Sequence, residues 1–130
     1  MGTNYYFDRK NSRELSESIS KMIGFLDADT VRERLFDRIH ICKISAGWKP
    51  GFQRTEYFSS LDELKEFYKQ NKDKYNVIDE YDEHIDFNAL LEKCRQRYDD
   101  TKNKSHLSED CRKYYRKCSS GYEWCGMEFS

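Results

Sequence analysis

The chain has 130 residues, with 23 Lys and Arg against 24 Asp and Glu and a formal net charge of −1. That length makes one domain, large enough to bury about two-thirds of the surface its unfolded chain exposes. A charged fraction of 36% and a mean hydropathy of −1.04 lean towards disorder, but ten Tyr, eight Phe and two Trp exclude that class, because disordered chains are poor in aromatics. An aromatic-rich core under a heavily charged surface is expected. One Pro and six Gly imply few tight turns and a substantial helical content. No apolar run approaches the roughly 18 residues of a membrane span, and no signal peptide opens the chain. The expected compartment is cytosolic, with no membrane partner.

Residues 1–7 read as a short strand in which Tyr5, Tyr6 and Phe7 pack. Ser12 caps a helix over about 13–26, whose Leu15, Ile19, Met22, Ile23 and Leu26 fall on one apolar stripe. Asp27 to Thr30 breaks that helix and caps a short second one through Val31 and Leu35, up to about Asp37. Residues 39–45 form a strand with apolar side chains on both faces, hence a central one. Gly47, Pro50 and Gly51 make the following loop, and residues 52–58 the returning strand.

Ser60-Leu61-Asp62-Glu63 fits a capping box, in which Ser and Glu each satisfy one free backbone N–H. The helix it opens runs to about Lys72 and buries Leu61, Leu64, Phe67 and Tyr68. Residues 77–85 read as a small hairpin turning around Asp82-Glu83. Asp86 caps the next helix, with Ile85 and Leu90 as a hydrophobic staple and Phe87, Leu91, Cys94 and Tyr98 along the same face. A polar loop over 99–105 follows. Ser108, Glu109 and Asp110 begin a last helix, with Cys111, Tyr114, Tyr115 and Cys118 inward at i, +3, +4 and +7 and basic residues 112, 113, 116 and 117 outward. Gly121 is its C-cap, and residues 122–129 form a terminal strand. The pattern predicts a single α+β domain over 1–130, a small, mainly antiparallel sheet with several packed helices.

Few arrangements here carry chemistry. The five Cys, at 42, 94, 111, 118 and 125, contain no Cys-x-x-Cys pair and read as reduced, buried thiols. His40 and Cys42 share a strand face, but side chains two apart diverge and no third group orients them, so a nucleophile pair is not expected. Zinc ligands normally come in pairs two to four residues apart; the choice among His40, Cys42, His106, Cys111, Cys118 and Cys125 lacks such a pair. No metal, cofactor or catalytic residue is therefore expected. The carboxylates of Asp79-Glu80-Tyr81-Asp82-Glu83 read as a solvated acidic turn. No phosphate-cradling glycine loop, nucleophile elbow or metalloprotease helix is present.

The near-zero net charge hides an uneven distribution. Residues 1–55 carry ten Lys and Arg against seven acids, 56–92 four against eleven, 93–118 nine against four, and 119–130 two acids alone. Either the acidic middle balances the basic segments within the molecule, or one of these faces meets a charged partner. Nucleic acid would suit the basic C-terminal helix, where Lys and Arg contact phosphate and tyrosines stack on bases. Its tyrosines share the inward stripe, and the sequence pI near 6.3 argues against it.

The opening Met1-Gly2-Thr3-Asn4-Tyr5-Tyr6, the central run from His40 to Trp48 (His-Ile-Cys-Lys-Ile-Ser-Ala-Gly-Trp), and Ile78-Asp79-Glu80-Tyr81 resemble an uncharacterised family of small phage- and prophage-encoded proteins. The ending Gly121-Tyr122-Glu123-Trp124 with Glu128-Phe129-Ser130 is similar to that family's C-terminus. Many members carry an N-terminal Cys-x-x-Cys that suggests a zinc knuckle; this chain has the Ser12–Leu26 helix there and no Cys before position 42, so that knuckle does not carry over to it. The resemblance implies a non-enzymatic inhibitor that binds a host antiviral defence protein, as anti-CRISPR proteins do, in the host cytoplasm. The alternatives are a nucleic-acid-binding regulator using the basic C-terminal helix, or a small zinc-binding protein. Defence effectors that handle nucleic acid present basic grooves, so the expected contact surface is the acidic segment Asp79, Glu80, Tyr81, Asp82, Glu83 and Asp86. Trp48, delivered by the Ala46-Gly47 break, is expected either to fold over the sheet or to stand out as an anchor.

Overall fold

The computed structural model describes residues 2–36, 38–107 and 113–127. In chain order its elements are β1 (Gly2–Arg9), α1 (Ser12–Ile23), α2 (Ala28–Leu35), β2 (Ile39–Ser45) and β3 (Gly51–Gln53). They continue with α3 (Leu61–Asn71), β4 (Tyr75–Asp79), α4 (Phe87–Asp99), β5 (Tyr115–Lys117) and β6 (Glu123–Cys125). The strands form one sheet in the order β4-β1-β2-β3-β6-β5, antiparallel except for the parallel β3–β6 pair. This is the expected α+β domain with a small, mainly antiparallel sheet.

Residues paired across neighbouring strands share a face of the sheet. One transverse row is Tyr5, Cys42, Phe52 and Trp124. All four are buried, and α3 and α4 close over them with Leu61, Leu64, Phe87, Leu90 and Cys94. Aromatic rings fill much of this layer: Phe7 packs on Phe58, Phe67 and Phe87, and Tyr68 stacks on Phe87 with centroids 4.1 Å apart. The next row, Asn4, Lys43, Gly51, Glu123 and Lys117, points to the opposite face. That second face is polar, and the α1–α2 hairpin covers only one end of it.

The caps follow the sequence closely. Ser60 Oγ accepts from Glu63 N, and Glu63 Oε1 reaches back to Ser59 N. Asp86 accepts from Ala89 N, and Asp27 from Thr30 N. Strand β2 is interior, as its two apolar faces require. The turn after β4 closes through Asp79 N to Glu83 O, with Asp82 in the left-handed region at φ 65°.

Five expectations are corrected. Ser12 does not cap α1; Asn11 does, in the left-handed conformation and without a side-chain bond, while Ser12 Oγ donates to Asp8. Of the apolar stripe of α1, Leu15, Met22 and Ile23 face outward, while Ile19 and Leu26 are half-buried. The returning strand ends at Gln53, because Thr55 turns the chain through bonds to Tyr57 N and Phe58 N. The last helix is absent where its C-terminal half is described: 115–117 form β5, an edge strand paired with β6, and Gly121 (φ +91°) makes the turn between them. Cys111 and the start of that expected helix lie outside the described residues. The terminal strand is confined to Glu123–Cys125, and Phe129 also lies outside them.

Candidate functional site

Helix α1 is amphipathic in the unexpected sense. Ser12, Ser16 and Ser20 recur every four residues and form its inner face. Ser12 and Ser16 are buried, Ser16 Oγ donates to Ser12 O at 2.6 Å, and Ser20 Oγ donates to Leu26 O. Small hydroxyl side chains let α1 approach its neighbours closely while their polar atoms are bonded locally. Leu15, Met22 and Ile23 consequently point to solvent, Met22 with 86% of its surface exposed. Phe25, in the link to α2, is 81% exposed, and Leu35 at the end of α2 is exposed as well.

The hairpin is held to the sheet mainly by charge. Arg32 places Nη2 2.7 Å from Asp8 and Nη1 3.2 Å from Asp82, and its Nε donates to Ser12 Oγ. Val31 is its one fully buried apolar side chain among the described residues.

The acidic turn is built into the same network. Asp82 is also approached by Arg13 at 2.8 Å and Arg38 at 3.7 Å, and these cations hold its carboxyl below the ordinary range despite the opposing effect of burial. Asp79 Oδ1 accepts from Tyr81 N and Glu83 N, Glu80 Oε1 accepts from Asn4 N, and Asp86 caps α4. Tyr81 and Glu83 are left outward, Tyr81 with 73% of its surface exposed. Tyr81 lines a cleft of about 540 Å³ against Arg13 and Glu14 in the first turn of α1.

Trp48 is 39% exposed and stands at the other end of the polar face. Its ring stacks on His106 with centroids 5.0 Å apart, and His106 stacks on Tyr115 at 4.5 Å and 5°. His106 Nε2 donates to Lys49 O at 3.1 Å, the role a carbonyl partner imposes, and its backbone N donates to Glu123 Oε1 at 2.8 Å. Glu123 is wholly buried; Ser105 Oγ also donates to its Oε1, while its Oε2 meets no donor among the described residues. Lys49 N to Lys104 O and Lys104 N to Gly47 O tie the two loops beneath the stack. Nothing local in the sequence marks His106 and Tyr115 as partners of Trp48, because they come from segments distant in the chain.

His40 and Cys42 are shut into the fold. His40 is buried against Tyr6 and pushed down to about 4 by burial, so it is neutral near pH 7. Cys42, wholly buried with its Sγ 3.9 Å from that of Cys94, is raised well above the usual thiol value by burial. Cys42, Cys94, Cys118 and Cys125 are free thiols. Among the described residues no group of three His, Cys, Asp or Glu side chains is placed to hold a metal ion, and no helix is long and apolar enough to cross a membrane. In comparisons with known proteins, no family model, curated protein or solved structure matches the chain.

Proposed function

We propose that the protein is a non-enzymatic inhibitor that docks through its α1–α2 hairpin onto another protein. The phage-like sequence anchors point to a host antiviral defence protein as the target, of the kind that anti-CRISPR proteins block, encountered in the host cytoplasm. The observation that carries the docking reading is the inverted amphipathicity of α1. A helix that turns Ser12 and Ser16 inward and leaves Leu15, Met22 and Ile23 in solvent wastes the hydrophobic effect unless a partner covers them. Met and Phe, the types exposed here at Met22 and Phe25, are enriched in protein interfaces relative to the rest of the surface. Tyr81 lies beside the first turn of α1 and extends the same surface, whereas the charge of Asp82 is neutralised within the fold.

The test is capture of a partner from host lysate with a tagged protein, with and without nuclease. The expected result is one protein retained after nuclease treatment and lost with the Met22→Glu, Phe25→Glu variant, whose melting temperature is unchanged. Retention by that variant, or loss of the partner on nuclease treatment alone, defeats this reading.

A further inference from the structure

We infer that the end of the polar face around Trp48 binds a single-stranded polynucleotide, with bases stacking on the Trp48–His106–Tyr115 column and phosphates meeting the lysines around it. The surface is separate from the α1–α2 docking face and stands or falls independently of it.

Three observations converge. The first is a ready-made column of near-parallel rings, built from three elements and pinned in place. His106 is fixed by Glu123 beneath it and by Lys49 O, and the column lies directly over Gly51. A Cβ at Gly51 would come within 3.3 Å of Tyr115 and 3.5 Å of His106, so the sheet leaves room there for these rings. A fixed ring stacks a base with little further loss of freedom, and stacking tolerates any base because each has a π-face. The exposed Trp48 is the end of the column open to solvent.

The second is charge. Residues 102–107 and 113–118 contain Lys102, Lys104, Lys113, Arg116 and Lys117 and no carboxylate. Lys102, Lys104, Lys113 and Lys117 form no ion pair in the described structure, in contrast to the Arg13, Arg32 and Arg38 cluster that Asp8 and Asp82 neutralise. Glu109 and Asp110 lie between these two segments in the chain, so the positive charge here is local to the lysine side chains themselves, the groups a phosphate backbone would meet.

The third is how the two are placed together. Lys104 Nζ lies 5.9 Å from the Trp48 ring centroid, which puts a cation at the open end of the column itself. Cations beside exposed ring faces give a base and its phosphate neighbouring contacts. A duplex offers the phosphates but hides its base faces, which is why the site suits an unpaired strand.

The experiment uses the full chain with oligothymidylate and oligouridylate of about 16 nucleotides, read by anisotropy of a labelled strand and by quenching of Trp48 emission. Trp124 is buried and reports on the fold alone. The expected result is saturable binding in about the micromolar range, weakened roughly tenfold between about 50 and 200 mM salt. Trp48→Ala should weaken binding about tenfold. The exposed triple variant Lys104→Glu, Lys113→Glu, Lys117→Glu should abolish it while leaving Trp124 emission and the melting curve intact. Lys69→Glu on α3 serves as the charge control and should bind normally. The inference is overturned by no binding up to about 100 µM at low salt, by equal competition from a duplex of the same length, or by unchanged affinity in the triple-lysine variant.

Discussion

Arg32 Nη2 in α2 lies 2.7 Å from Asp8 Oδ2 in β1, and this pair is the principal tie between the helical hairpin and the sheet. Their side chains are only 16% and 9% exposed, and the same guanidinium also serves Asp82 and Ser12. Removing it leaves Asp8 buried beside no counter-charge. Arg32→Ala should therefore cost about 2–4 kcal/mol in urea unfolding, with amide exchange in α1 and α2 accelerated ahead of the sheet. Arg32→Lys should recover only part, because an ammonium cannot serve two carboxylates in forked geometry. A variant of wild-type stability would show that the hairpin is held by something else.

His40 gives the protein a pH dependence of known sign. Burial lowers its pKa to about 4 in the fold. Between the ordinary value near 6.5 and about 4, the unfolded chain binds a proton there that the folded protein does not. Stability should thus fall with pH through that window, by about 3 kcal/mol across all of it. His106, also lowered by burial, adds a contribution of the same sign. His40→Phe preserves a ring over Tyr6 and should flatten the slope of urea midpoint against pH. An unchanged slope would locate the effect elsewhere.

The sequence announced local features better than distant ones. Ser60 with Glu63, Asp27 and Asp86 cap their helices within four residues, so their signals needed nothing beyond the segment itself. The α1 stripe was legible as a period, but which side of a helix faces the sheet depends on partners far away. Here Asp8 and Arg32 reward the serine face. Tyr114, Tyr115 and Cys118 fit a 3.6-residue period, yet pairing with β6 draws 115–117 into a strand, a tertiary contact overriding a helical pattern. The acidic turn was read as solvated because its cations, Arg13, Arg32 and Arg38, are more than forty residues away in sequence. The Trp48 column was missed for the same reason.

That turn also changes what a charge reversal would mean. Asp79 Oδ1 holds the turn through Tyr81 N and Glu83 N, and Glu80 is bonded to Asn4 N. Reversing Asp79, Glu80 and Glu83 together to Lys should lower stability by about 2–3 kcal/mol through lost turn bonds alone. Tyr81→Ala with Glu83→Lys is the cleaner probe, since both side chains point outward. It should melt within about 0.5 kcal/mol of wild type and weaken partner capture. Undiminished capture would remove the turn from the docking surface.

Glu123 separates a structural carboxylate from a mere charge. Its Oε1 accepts from Ser105 Oγ and His106 N, so an acceptor is required at this point. Glu123→Gln keeps that acceptor and removes a buried charge, and should change stability by less than about 1 kcal/mol. Glu123→Ala leaves His106 N and Ser105 Oγ without their partner and opens a void, and should cost about 2–4 kcal/mol. Equal losses in both variants would mean that the negative charge itself supports the loop.

The two tryptophans should divide cleanly between core and surface. Trp124 is 2% exposed and packs on Phe52 and Phe58, so Trp124→Ala should cost about 3–5 kcal/mol. Trp48 keeps one side of its ring in solvent and touches the fold through His106 and Lys104, so Trp48→Ala should cost only about 1–2 kcal/mol. Its emission should be quenched by acrylamide while that of Trp124 is shielded, which single-tryptophan variants carrying Phe at the other position would read directly. The comparison bears on use as well as stability. A side chain that contributes little to the fold is free to be covered by a ligand. If Trp48→Ala proves as destabilising as Trp124→Ala, the column is a wall of the core and its surface role fails with it.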